Sequence, residues 1–102
     1  MRKAEIYQQG RLAGVLEELD QNRYRLNYAS GYRGEPISLA LPVREAPYEF
    51  DKLPPVFEGL LPEGLQLEAL LRQYKVDKKD MFKQLLIVGE DVVGSLTVKE
   101  AQ

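Results

Sequence analysis

The chain of 102 residues contains no cysteine and no histidine. Without cysteine there is no disulfide framework, no thiolate zinc site and no cysteine nucleophile. Without histidine the commonest general base is missing, and with it the usual catalytic triad and most transition-metal sites. Any catalysis would rest on carboxylates, lysines, tyrosines and serines. A basic excess is absent too. Fourteen Lys and Arg stand against sixteen Asp and Glu, a formal charge of −2. That disfavours direct nucleic-acid binding. No segment approaches the roughly 18–20 apolar residues of a membrane-spanning helix. The opening MRKAEIYQQG has a basic start with no apolar run behind it, which argues against a secretory leader. The expectation is one cytoplasmic domain spanning residues 1–102, with 44% hydrophobic residues to supply a modest core.

The first half carries the period of strands. Residues 3–8 alternate, with Ala4 and Ile6 on one side and Glu5 and Tyr7 on the other. A turn at Gly10 leads to a second strand over 12–19, and the two form a hairpin. Tyr24, Leu26 and Tyr28 alternate with Arg23, Arg25 and Asn27 in a third strand. ASGYRGEP is a loop. ISLALPV predicts a fourth strand that ends at Pro42, and REAPYEFDKLPP, with three prolines, is irregular. The second half has the period of helices. Leu67, Leu70, Leu71 and Tyr74 share one face of a helix that starts at Glu63 or Gly64. Asp77 is the expected N-cap of a second helix over 78–88, with Asp80 three residues on in a capping-box-like position. Met81, Phe82, Leu85 and Leu86 form its inner face, and Gly89 stands at its C-cap. DVVGSLTVKE closes as a strand. Strands, two helices and a strand make an α+β domain: a small antiparallel sheet or partial barrel of about five strands, with two helices in the C-terminal half.

Candidate chemistry is sparse. The pairs Glu17/Glu18, Glu45/Glu49 and Glu90/Asp91 read as solvated surface. Arg72, Lys75, Lys78, Lys79 and Lys83 make a basic patch, but Asp77 and Asp80 interleave with it, as on an ordinary solvated helix face. GEDVVG lacks the spacing of a phosphate loop and leads into a strand. Kinase signatures are missing: there is no glycine-rich nucleotide loop in context, no catalytic Asp–Asn loop and no DFG.

VFEGLLPEG, residues 56–64, is the unusual stretch. Its apolar run is broken by Gly59 and closed by Pro62, Glu63 and Gly64. On a helical wheel at about 100° per residue, with Leu65 at zero, the inner stripe of the next helix falls at about 140–240°. Leu65 therefore points outward, with Ala69 beside it. Together with FEGLL it forms an exposed apolar patch of the kind that marks an interface. The other reading is a tight corner between sheet and helix, with Leu65 tucked in as a staple.

Several of these elements, taken together, resemble the N-terminal subdomain of the HipA-like serine/threonine kinase family. The pattern is Phe57-x-x-Leu60-Leu61-Pro62-Glu63-Gly64, then a helix, then Val76-Asp77-x-x-Asp80-x-Phe82, then Gly89-x-Asp91-x-x-Gly94 turning into a strand. The strand–Gly–strand start and SLALPV are similar to that subdomain as well, so the likeness covers nearly the whole chain. Family kinases carry their catalytic core after this subdomain, whereas this sequence stops at Gln102. It thus resembles the freestanding, HipS-type component of three-gene HipBST toxin–antitoxin systems. The resemblance implies a protein without catalytic residues, cofactor or metal. It also implies docking on a HipT-like serine/threonine kinase and restraint of it, with a HipB-like DNA-binding protein completing the set. The expected kinase contacts are Phe57, Leu61, Leu65 and Ala69, with Glu63 at the rim. A scaffold or activator subunit that does not inhibit the kinase is the other reading the resemblance leaves open.

Overall fold

A computed structural model of the protein describes residues 2–20, 23–89 and 95–101. Its centre is a five-stranded antiparallel sheet. The strands are β1 (Arg2–Gln8), β2 (Arg11–Asp20), β3 (Arg23–Tyr28), β4 (Tyr48–Phe50) and β5 (Leu96–Glu100). They lie side by side in the order β4-β3-β2-β1-β5. Gln9 and Gly10, with φ of 51° and 82°, turn β1 into β2. Two consecutive positive φ values give the tight turn whose twist suits a hairpin, and the second is glycine. The register shifts between Ile6 and Tyr7, which leaves Ala13 as the extra residue of a bulge in β2. Gly14, the next residue, lies so close to β3 that a Cβ there would sit 2.4 Å from the Asn27 carbonyl oxygen. That contact explains a glycine inside a strand.

The alternation read from the sequence sets the buried face. Ala4, Ile6, Leu16, Tyr24, Leu26, Tyr28 and Val98 turn toward the helices and are buried. Three helices follow β4: α1 (Pro55–Glu58), α2 (Gly64–Tyr74) and α3 (Met81–Val88). Phe57, Phe82 and Leu85 close the core against the sheet, and Tyr24 stacks on Phe82 with ring centroids 6.1 Å apart.

Four expectations are corrected. Residues 37–43 are not a strand; Ser38 and Leu41 make only an isolated bridge. The buried Tyr28 hydroxyl accepts from the Ile37 N–H at 2.9 Å and donates to the Leu41 carbonyl, taking up backbone groups that a ladder would have used. The fourth strand is instead Tyr48–Phe50, inside the stretch read as irregular. The second long helix starts at Met81 and not at Lys78. Asp80 is its N-cap and accepts from the Lys83 N–H at 3.1 Å. Asp77 closes a separate turn by accepting from the Lys79 N–H at 2.8 Å. Tyr74, placed on the inner face of the first helix, is half exposed, because α2 lies outside the other elements and buries only Leu70 fully. Finally, a one-turn helix, α1, precedes the two that were read. Gly89 does stand at the C-cap of α3, in right-handed conformation. Its reason is contact: a Cβ would lie 2.4 Å from that of Val98. Glu90, Asp91 and Gly94, expected in a turn after it, lie outside the described residues.

Arg2 links the start of the sheet to the start of α3. Its guanidinium donates to both Glu18 oxygens at 2.7 and 2.8 Å and to both Asp80 oxygens at 3.1 and 2.9 Å. It also lies over the Phe82 ring, 5.2 Å from the centroid. The Arg2 hydrogen bonds hold the Asp80 carboxyl below its usual range, and the Lys83 N–H adds to this. A carboxylate whose folded pKa is depressed contributes stability that is present above its unfolded pKa and lost as pH falls through the folded value. Asp80→Ala removes both cap and ion pair and is expected to cost about 1–3 kcal/mol. Asp80→Asn keeps a capping oxygen and is expected to cost under about 1 kcal/mol. Denaturant unfolding at neutral and acid pH checks this. The gap between the parent and Asp80→Asn should close in acid, and a constant gap would rule out the ion pair.

Candidate partner-binding surface

The stretch between sheet and α2 is built on one anchor. Leu53 and Pro54 are buried, and Pro55 opens α1 at a position that needs no N–H donor. Phe57 projects from this single turn into the core and is 0% exposed. The chain then tightens: Leu60 N–H donates to Phe57 O at 3.0 Å and Leu61 N–H to Glu58 O at 3.1 Å. Both leucines pack half-buried against the core. Pro62 ends the run. Glu63 is extended, exposed and makes no side-chain cap. Gly64, at φ +59° with open space around it, redirects the chain into α2. A Cβ there would meet no atom, so backbone conformation alone favours glycine.

This corner sets two surfaces. On the outward side of α2, Leu65 is 83% exposed and Ala69 is exposed beside it. On the other side Leu61, Pro62, Leu67, Met81 and Gln84 line a shallow groove of about 220 Å³, rimmed by Glu58, Glu63 and Lys78. Gln84, 2% exposed, fixes the groove floor by donating to the carbonyls of Asp77 at 3.3 Å and Lys78 at 2.9 Å.

Of the five residues expected to meet a partner, Leu65 and Ala69 share the outward face, and Leu61 and Glu63 share the groove. Phe57 belongs with neither. It is wholly buried, so its expected role as a surface contact is corrected to that of the anchor beneath the surface. Sequence reasoning also missed Leu39. At 94% exposure it is a more exposed large apolar residue than Leu65, but its place in an alternating run made it look like part of a strand.

Among the described residues no group of three or more His, Cys, Asp or Glu side chains could hold a metal ion. No helix among them is long and apolar enough to cross a membrane.

Comparison with known proteins bears on this architecture. Residues 4–99 match the family model described as the HipA N-terminal domain. An uncharacterised protein of Haemophilus influenzae is 32% identical over 100 residues, covering 98% of this chain and 93% of the relative. A solved N-terminal domain of HipA toxin superposes with a TM-score of 0.75 at 29% identity, covering all of this chain and 94% of that one. What these relatives share with the chain is the N-terminal subdomain and not the catalytic kinase domain. The chain belongs to the HipA N-terminal domain family.

Proposed function

We propose that this protein is a non-catalytic, antitoxin-like partner that binds a HipT-type serine/threonine kinase and neutralises it by docking near its active site in the cytoplasm. The observation that carries the reading is Leu65, a large apolar side chain 83% exposed on α2 directly after the corner of Pro62, Glu63 and Gly64. A leucine held out on the exposed face of a helix is a suitable anchor for an interface core, where a few large apolar side chains carry most of the binding energy. Family membership supplies the kind of partner. Leu65 and Ala69 make the main contact, and a partner that reaches round the corner meets Leu61 and Glu63 in the groove on the other side. Co-expression tests the reading. Cells making the HipT-type kinase alone are expected to stop growing, and cells that also make this protein are expected to grow. Growth arrest that persists although the two proteins co-purify would instead assign a supporting, non-inhibitory subunit.

A further inference from the structure

The groove beside the corner of Pro62, Glu63 and Gly64 has walls of one chemistry and a floor of another. Leu61, Pro62, Leu67 and Met81 make the walls apolar, and a volume of about 220 Å³ gives room for one long side chain, not for a helix or a strand. The floor carries one polar group. Gln84 is 2% exposed, and its Nε2 gives its two hydrogens to the carbonyls of Asp77 at 3.3 Å and Lys78 at 2.9 Å. Those two bonds fix which way the amide faces. Gln84 Oε1 accepts no hydrogen bond from the described residues. It is not sealed off as Gln8 Oε1 and Arg25 Nε are, and the groove is the space onto which it opens. At the rim Glu58 and Glu63 are exposed, and neither carboxylate is held by an ion pair among the described residues. Lys78 is the single cation among the lining residues, so the groove carries net negative charge.

We propose that this groove receives an arginine side chain of the kinase partner, an inference that rests on the docking proposed above and names what that partner presents. In the chain, Leu65 stands two residues after Glu63, so the groove continues the proposed interface. The arginine stem is apolar and lies along Leu61, Pro62, Leu67 and Met81. Its guanidinium has donors only, and the groove offers acceptors at both depths: Oε1 on the floor and carboxylates at the rim. The planar fork donates in more than one direction and is more weakly hydrated than an ammonium, which suits apolar walls. An acidic side chain would meet the lone pairs of Oε1 and two like charges. An aliphatic one would cover Oε1 without giving it a partner, a costly state.

Two measurements test this. In the first, the isotopically labelled chain alone is titrated with Nα-acetyl-arginine amide at constant ionic strength and followed by NMR. Shifts are expected at the Gln84 side-chain amide and the Met81 methyl group. Nα-acetyl-norleucine amide, which keeps a stem but has no donor at its tip, should bind about tenfold more weakly. Equal binding of the norleucine or the lysine analogue, or shifts that fall outside the groove, would overturn the choice of arginine. The second measurement is affinity for the HipT-type kinase. The double variant Glu58→Gln, Glu63→Gln should bind about tenfold more weakly, and Lys78→Gln more tightly. Glu68→Gln, which removes an exposed carboxylate of α2 outside the groove, should bind as the parent does. All four side chains are exposed, so the variants should melt as the parent does. Unchanged affinity in the double variant, or an equal loss in Glu68→Gln, would overturn the inference and leave docking through Leu65 standing, because Leu65→Asp tests that separately. A kinase that does not bind the parent protein would overturn both.

Discussion

Replacing Phe57 by alanine lowers the unfolding free energy by about 3–5 kcal/mol. The side chain is 0% exposed and packs between the sheet and α3, so truncation removes its transfer energy and leaves a cavity among Leu26, Leu53 and Phe82 and their neighbours. A four-residue helix cannot hold itself together, since nucleation alone is unfavourable. Phe57 is therefore the chief apolar tie of α1 to the core, and the corner that orients α2 depends on it. A domain of this size has about 5–15 kcal/mol in total, so the loss takes a large share. Phe57→Leu keeps most of the volume and should recover most of the stability. Urea unfolding of the two variants decides the matter. A cost for Phe57→Ala within about 1 kcal/mol would mean that the anchor is elsewhere.

Leu65→Asp is expected to behave in the opposite way. The parent side chain is 83% exposed, so the variant should melt as the parent does, within about 0.5 kcal/mol. Its affinity for the proposed kinase partner should fall by roughly 2–4 kcal/mol, about thirtyfold to several hundredfold, because a carboxylate would be buried unpaired in an apolar contact. Cells carrying the kinase should then lose their protection. The contrast with Phe57 is diagnostic. If the proposed docking is right, Phe57→Ala should weaken binding by loosening the platform, and Leu65→Asp by spoiling the contact. A collapsed melt for Leu65→Asp would place Leu65 in the core in solution. Unchanged melt and unchanged affinity would move the interface elsewhere, with the exposed surface from Arg72 to Lys83 next to be probed.

The sequence announces those parts of the fold whose signal is periodic. The alternation in β1 and β3 and the i, i+3, i+4 spacing in α2 and α3 each repeat often enough to define a face. What is lost is short or depends on distant groups. β4 has three residues and α1 has four, too few for any period. The run 37–43 alternates like a strand, yet its backbone is taken by the hydroxyl of Tyr28, a contact that local pattern cannot reveal. The same division runs through the candidate surface. Leu65 is legible because a longer helix fixes its direction. Phe57 is not, because one turn leaves its direction to tertiary packing. Gln84 reads as a polar interruption, and only the structure shows it satisfying two carbonyls of the preceding turn.

The placement of β5 beside β1 has a consequence for how the domain comes to be. Strands β1, β2 and β3 meet their sequence neighbours and can zip by short hairpins. β5 pairs with residues 4–8 from the far side of the described chain, and Val98 enters the core only then. Closing so long a loop costs entropy before its contacts form, which makes this pairing the slow event in assembly. Gly89 and the end of α3 rest on Val98. The seat of α3 is therefore complete only once β5 has paired, and the helical layer beside α2 is completed with it.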